Sequence, residues 1–199
     1  MAEQLLPTPS HTIGPFYGHA LPFPDGDRIA PAGHPDAITL HGYVFDGAGT
    51  PVPDALLDFW QAAPDGSLTG APGSMRRDPS TGGFLGRNGV DFTGYGRVPT
   101  DADGHYALHT LPPGNPGPPY ISVCVFARGL THHLFTRAYL ADGADPLLDS
   151  LPAGRRATLI ATGDAARGAA GHAAGGTNRT YRFDIRLQGE GETVFLEFQ

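Results

Sequence analysis

Nine histidines and one cysteine are the residues of this 199-residue chain whose types most readily bind metals or attack substrates. Their spacing argues against either use. His132 and His133 are adjacent on an expected strand, so their side chains leave on opposite faces and cannot share an ion. His105 and His109 share a face, but four residues of strand rise separate them by about 13 Å. His11, His19, His34, His41 and His172 are scattered along the chain, so ordinary packed or solvated histidines explain the set better than a metal site does. Cys124 lies between Val123 and Val125, where it reads as a small buried hydrophobe, and a lone cysteine permits no internal disulfide. No Gly-x-Ser-x-Gly elbow, phosphate loop or zinc-type Cys/His spacing is present. Acidic pairs such as Asp101 with Asp103, or Glu190 with Glu192, belong to turns. Taken by themselves, the residues spell out no catalytic constellation.

The elements that would position any site are strands. Ile38, Leu40, Gly42 and Val44 alternate with Thr39, His41 and Tyr43, and Phe183, Ile185 and Leu187 alternate with Arg182, Asp184 and Arg186. Ala55–Ala62, His105–Leu111, Tyr120–Ala127 and His132–Leu140 read as further strands, and Val194, Leu196 and Phe198 resume the two-residue period. Asp46-Gly47-Ala48-Gly49, Thr100–Gly104 and Gln188–Glu192 supply turns. No window carries a helical stripe. The fold class expected is therefore all-β, a β-sandwich of mostly antiparallel strands with an extended N-terminal arm and long loops. Residues 1–36, rich in Pro, Gly and His, form an arm expected to need another surface, that of a partner subunit, to order it, and 37–199 form the sandwich domain. Residues 67–96 make a long Gly-rich excursion of the kind that covers a site, and 163–176 a Gly/Ala loop.

Gly and Pro number 29 and 20, yet 40% of residues are apolar and 10% aromatic, enough to support a packed core. The net charge is −7 (13 − 20), every basic residue is arginine, and no basic run exists, which excludes a nucleic-acid footprint. Met1–Ser10 lacks a basic and apolar leader, and no stretch reaches membrane-spanning length, so a cytoplasmic protein is expected.

Four blocks in order resemble the intradiol ring-cleaving dioxygenases. They are LHGYVFDGAGTPVPDALLDFWQA (Leu40–Ala62), YGRVPTDADGHYALHTLPPG (Tyr95–Gly114), PYISVCVFARGLTHHLFTRAY (Pro119–Tyr139) and YRFDIRLQGEGETVFLEF (Tyr181–Phe198). Catalytic members of that family hold Fe³⁺ with two tyrosines and two histidines, hard phenolate donors that favour the ferric state. The positions matching those ligands here carry Leu68, Pro116, Tyr120 and Ser122, so the resemblance implies that no metal ligand set, and no catalytic residue, stands on this chain. It further implies the metal-free alpha-type subunit of a two-subunit member, whose beta subunit bears the Fe³⁺. Such a complex would cleave 3,4-dihydroxybenzoate with O₂ to 3-carboxy-cis,cis-muconate, in the β-ketoadipate route of aromatic catabolism. The arm Thr8-Pro9-Ser10-His11-Thr12-Ile13-Gly14-Pro15-Phe16 is similar to that subunit's, as is Phe126-Ala127-Arg128-Gly129. By that similarity Thr12, Gly14, Pro15, Phe16 and Arg128 line the mouth of the substrate pocket. Two rival readings remain: a non-catalytic β-sandwich binding or interaction module, and a self-sufficient iron enzyme with rearranged ligands.

Overall fold

A computed structural model describes residue 14, residues 16–164 and residues 179–197. Its elements in chain order are α1 (Tyr17–Ala20), β1 (Ile38–Phe45), β2 (Leu56–Trp60), β3 (Arg76–Arg77), β4 (Phe84–Gly86), β5 (Tyr95–Pro99), β6 (His105–Thr110), β7 (Tyr120–Phe126), β8 (Leu134–Tyr139), α2 (Pro146–Ser150), α3 (Ala153–Ala157), β9 (Thr162–Asp164), β10 (Arg179–Arg182) and β11 (Ile185–Arg186). They form the expected β-sandwich. In one sheet β1 is flanked on one side by antiparallel β6 and on the other by β10 and β11, which both run parallel to it, with β9 beyond β10. The other sheet, in the order β5-β2-β7-β8, is antiparallel throughout.

The alternation sets the core. β1 buries every second residue, with Ile38, Leu40 and Val44 at most 1% exposed. β7 does the same with Ile121, Val123 and Val125, and the two inner faces meet over Phe59, Tyr106 and Leu108. One detail departs from an ideal ladder. β10 and β11 follow the same edge of β1 but part at Phe183, whose carbonyl crosses Gly42 so closely that a β-carbon there would sit 1.9 Å from it. The displaced carbonyl accepts a 2.6 Å hydrogen bond from the buried Tyr106 phenol, so the break leaves no unsatisfied acceptor at that point. Asp101 organises the β5–β6 turn, its Oδ1 accepting from the N–H groups of Asp103 and His105.

Three short helices were absent from the sequence reading. α2 begins at Asp145, whose Oδ1 accepts from Leu147 N (2.9 Å) and Leu148 N (3.3 Å), with Pro146 opening the helix. α2 and α3 cover one end of the β8 outer face in a small second core of Tyr139, Leu148, Leu159 and Val194. The first 36 residues also divide. Ile29 is 1% exposed within the main core, its N–H donates to His109 O, and Arg97 N donates to Gly26 O, so this stretch is built into the chain's own sandwich. Among the described residues no helix is long and apolar enough to cross a membrane.

Candidate functional site

The four positions expected to correspond to ligands, Leu68, Pro116, Tyr120 and Ser122, lie on the loops after β2 and β6 and on β7. Ser122 lies opposite Trp60 in the β2–β7 register. After β2 the chain turns through Ala63–Leu68, and Gly114 N donates to Ala63 O, which brings the Pro116 loop against it. Asn115 ties that loop to β7, donating to Pro118 O and accepting from Tyr120 N. Gly114 is needed there, because a β-carbon would fall 2.1 Å from Pro64 O. The loop after β2, the Pro116 loop and the start of β7 are thus tied together by hydrogen bonds.

Leu68 is 64% exposed and Pro116 is exposed; neither has a side-chain donor. Tyr120 and Ser122 point to the outer face of the sheet, where the β7–β8 register sets Tyr139 opposite Tyr120 and Arg137 opposite Ser122. The Arg137 guanidinium lies 4.3 Å from the Tyr120 ring centroid and donates to Tyr139 Oη at 3.2 Å. A fixed positive charge held against the one phenol of the set opposes any further cation at this place. One phenol and one hydroxyl beside a guanidinium do not fit Fe³⁺, which needs several anionic or imidazole donors. Among the described residues no group of three or more His, Cys, Asp or Glu side chains comes together to hold a metal ion.

Beside Ser122 the outer face opens into a cleft of about 170 Å³. Asp58 at its edge is clamped by Arg97 through two hydrogen bonds of 2.6 and 2.7 Å. Cys124 lines the cleft from the outer face and is half-buried, a correction to its expected place in the core. Burial, reinforced by the Asp58 carboxylate, pushes its thiol up to about 12, so it is uncharged at neutral pH. Burial and Asp58 likewise push the Tyr95 phenol up to about 12.

Of the residues expected at a pocket mouth, Arg128 and the arm residue Phe16 lie near a second corner, joined through Tyr17 and Asp54. Arg128, beyond the end of β7, forms an ion pair with Asp54 and is 75% exposed. Tyr17, next to Phe16, donates its phenol proton to Asp54 O at 2.7 Å. Burial raises the Tyr17 pKa, Asp54 adds to this, and the charge and backbone N–H of Arg128 pull the other way. The end of the arm and the Arg128 turn are therefore joined through Tyr17 and Asp54, two residues the sequence reading passed over. Phe16 is 74% exposed, and Gly14 has a φ of +77°, a left-handed conformation that favours glycine. Thr12 and Pro15 lie outside the described residues, as does most of the 163–176 loop.

The structure also pairs two histidines that linear spacing kept apart. His41, on β1, meets His105 across the sheet with Nδ1 and Nε2 3.2 Å apart. A diagonal cross-strand contact of this kind leaves no trace in the separation along one strand.

Residues 13–117 match the profile of the family described as Dioxygenase. The chain is 37% identical over 213 residues to the protocatechuate 3,4-dioxygenase alpha chain of Burkholderia cepacia, covering 97% of this chain and 98% of that one. It belongs to the intradiol ring-cleaving dioxygenases. Another member, the protocatechuate 3,4-dioxygenase beta chain of the same organism, is 29% identical over 171 residues, covering 79% of this chain and 67% of its own length. Among solved structures, the dioxygenase domain of a dioxygenase carbohydrate-binding protein fusion from Streptomyces sp. SirexAA-E superposes with a TM-score of 0.53 at 27% identity. That superposition covers 92% of this chain and 99% of the other. The chain thus shares the family's sandwich fold.

Proposed function

We propose that this chain is the iron-free, alpha-type subunit of a protocatechuate 3,4-dioxygenase, assembled in the cytoplasm with an iron-bearing beta subunit. The complex opens 3,4-dihydroxybenzoate between its two hydroxyl-bearing carbons. Both atoms of O₂ enter the product, 3-carboxy-cis,cis-muconate, so no external reductant is consumed. The observation that carries this reading is the guanidinium of Arg137 standing against Tyr120, one of the expected ligand positions, together with full-length similarity to an alpha chain. Ferric iron on the beta chain supplies activation of the bound catecholate.

This chain's own part is to complete the pocket. The arm residues Thr12, Gly14, Pro15 and Phe16, with Arg128, close its mouth. Arg128 is exposed and carries a charge of the right sign to raise the local concentration of a substrate carboxylate. Asp54 and the Tyr17 phenol hold that turn in place. Gly14 and Pro15 offer a narrow backbone that can approach a flat ring.

Co-expression with a homologous ligand-bearing chain tests the assignment. The two chains are expected to copurify, with iron found in the partner and ring cleavage only in the mixture. A lone chain that binds ferric iron with a phenolate-to-iron visible band would point to the self-sufficient enzyme instead. A stable monomer that ignores the partner would point to a binding module.

A further inference from the structure

The His41–His105 contact lies on the outer face of the other sheet, away from the pocket mouth and from the expected ligand positions. β1 and β6 run antiparallel with Tyr43 opposite His105 and Ala107 opposite His41, so the two imidazoles meet on a diagonal above the sheet. Both backbones are pinned. His41 O accepts from Phe183 N at 2.8 Å, and His105 N donates to Asp101 Oδ1 at 2.9 Å. The His105 ring stands edge-on to Tyr43, with centroids 5.0 Å apart, and its side chain is 31% exposed. Paired strands therefore hold His41 Nδ1 and His105 Nε2 toward each other at a place that water can reach.

The separation of these nitrogens narrows what they do. In neutral imidazole one nitrogen carries the proton and the other a lone pair. The 3.2 Å contact is then either a hydrogen bond at the long end of the usual range, or two lone pairs turned toward one guest. Two zinc–nitrogen bonds of about 2.05 Å at a tetrahedral angle of about 109° set their nitrogens about 3.3 Å apart, close to the spacing seen. A square-planar angle would bring them to about 2.9 Å. The far side of His105 favours the ligating tautomer. Asp101 Oδ2 lies 3.9 Å from Nδ1 and draws the ring proton there, which turns the Nε2 lone pair toward His41. A carboxylate behind a ligating histidine is the usual arrangement in metal centres.

We propose that His41 and His105 chelate a divalent cation of the zinc class, with water completing its shell, and so clamp β1 to β6. Two protein ligands make an open, exchangeable site rather than a permanent structural centre, and no ring-opening chemistry is assigned to it. The charges nearby suit a cation. Asp101 stands behind His105, while Arg182, over the Tyr43 ring, is offset by its own ion pair with Asp184. The site rests on this chain's residues alone and does not depend on pairing with a beta subunit.

The full-length chain, without a histidine tag and stripped with a chelator, is titrated with zinc chloride in a calorimeter. A saturable site is expected that magnesium neither matches nor displaces, because hard cations prefer oxygen donors. His41→Gln and His105→Gln should each weaken zinc by at least roughly tenfold. The double variant should be little worse than either, since a chelate is lost with its first ligand. His132→Gln, between β7 and β8, should bind like the parent. Zinc should also raise the unfolding temperature of the parent and of neither chelate variant. Should one variant fail to fold, the other decides the matter. The proposal is overturned by a flat titration, by magnesium matching zinc, by either folded variant binding zinc like the parent, or by His132→Gln weakening zinc as much as they do. None of these measurements involves the beta chain, so failure of assembly and failure of this site are told apart.

Discussion

Arg128 and Arg137 belong to the same sheet, one just past the end of β7 and the other on β8 beside it, yet their surroundings are opposite. Arg128 stands 75% exposed with a carboxylate partner, while Arg137 is half-buried over an aromatic ring with no ion pair among the described residues. An exposed ion pair is worth at most about 1 kcal/mol, since water screens it and two side chains must be ordered. The half-buried Arg137 guanidinium is seated by a hydrogen bond to Tyr139 and by the Tyr120 ring, and the Asp145 charge adds to its hold. Low stability value at Arg128 suggests that this arginine is kept for what it meets. On the proposed reading Arg128 meets a substrate shared with the partner, while Arg137 is held in place by Tyr120 and Tyr139.

The comparison breaks most visibly if the neighbouring pair is forced into the Arg137 state. Asp58→Asn would leave Arg97 buried without its bidentate carboxylate; their side chains are 15% and 19% exposed. Denaturant unfolding should show a loss of about 2–3 kcal/mol, below the range for fully buried pairs because both groups keep some water contact. A loss under 0.5 kcal/mol would mean that this face is wetter than the structure indicates.

Arg137→Met should act in the other direction or not at all. It removes a desolvated charge and keeps the stem's packing on Tyr120, at the expense of one hydrogen bond to Tyr139 and the cation–π contact. The expected change lies between zero and about 1 kcal/mol of stabilisation. Clear destabilisation would show that Tyr139, Tyr120 and the Asp145 charge more than offset the desolvation of this guanidinium.

Cys124 offers a smaller effect on the same face. Its thiol is held at about 12 when folded, above its ordinary value near 9, so between these pH values the native state binds more protons than the unfolded chain. Stability from this group is complete below pH 9 and declines as pH rises toward 12. At pH 8 a disulfide reagent should react with Cys124 far more slowly in the folded chain than after denaturation. Equal rates would mean that the cleft floor is open to water.

How far this was legible in the sequence depends on whether the information runs along one strand or between strands. Ile38, Leu40 and Val44, like Phe183 and Ile185, lie inside as their alternation requires, because a two-residue period fixes a face without knowledge of the partner strand. Family membership was legible through four motif blocks in order along the chain. The His41–His105 contact, the seat of Arg137 opposite Ser122 and the Tyr17–Asp54–Arg128 corner were not, since each depends on register or on loops closing over 37 to 64 residues or on a neighbouring strand. Ile29 was missed because one apolar residue in a Pro- and Gly-rich stretch has no period to announce it. Asp145-Pro146 did carry a helix-start signal, a capping acid followed by proline, and could have placed α2.

The smallest effect on the isolated chain separates the two arginines most cleanly. Arg128→Ala should change unfolding free energy by less than about 0.5 kcal/mol, because the pair with Asp54 is exposed and Tyr17 remains bonded to the Asp54 carbonyl without it. In the complex the same change should raise KM for 3,4-dihydroxybenzoate while leaving kcat and iron content near the parent values, as expected for a charge that gathers substrate but takes no part in bond breaking. Raising ionic strength should mimic part of the effect in the parent and none of it in the variant, since screening acts on the charge that Arg128 supplies. An unchanged KM, or a KM equally salt-sensitive in both proteins, would leave Arg128 as a surface ion pair and move the mouth of the pocket elsewhere.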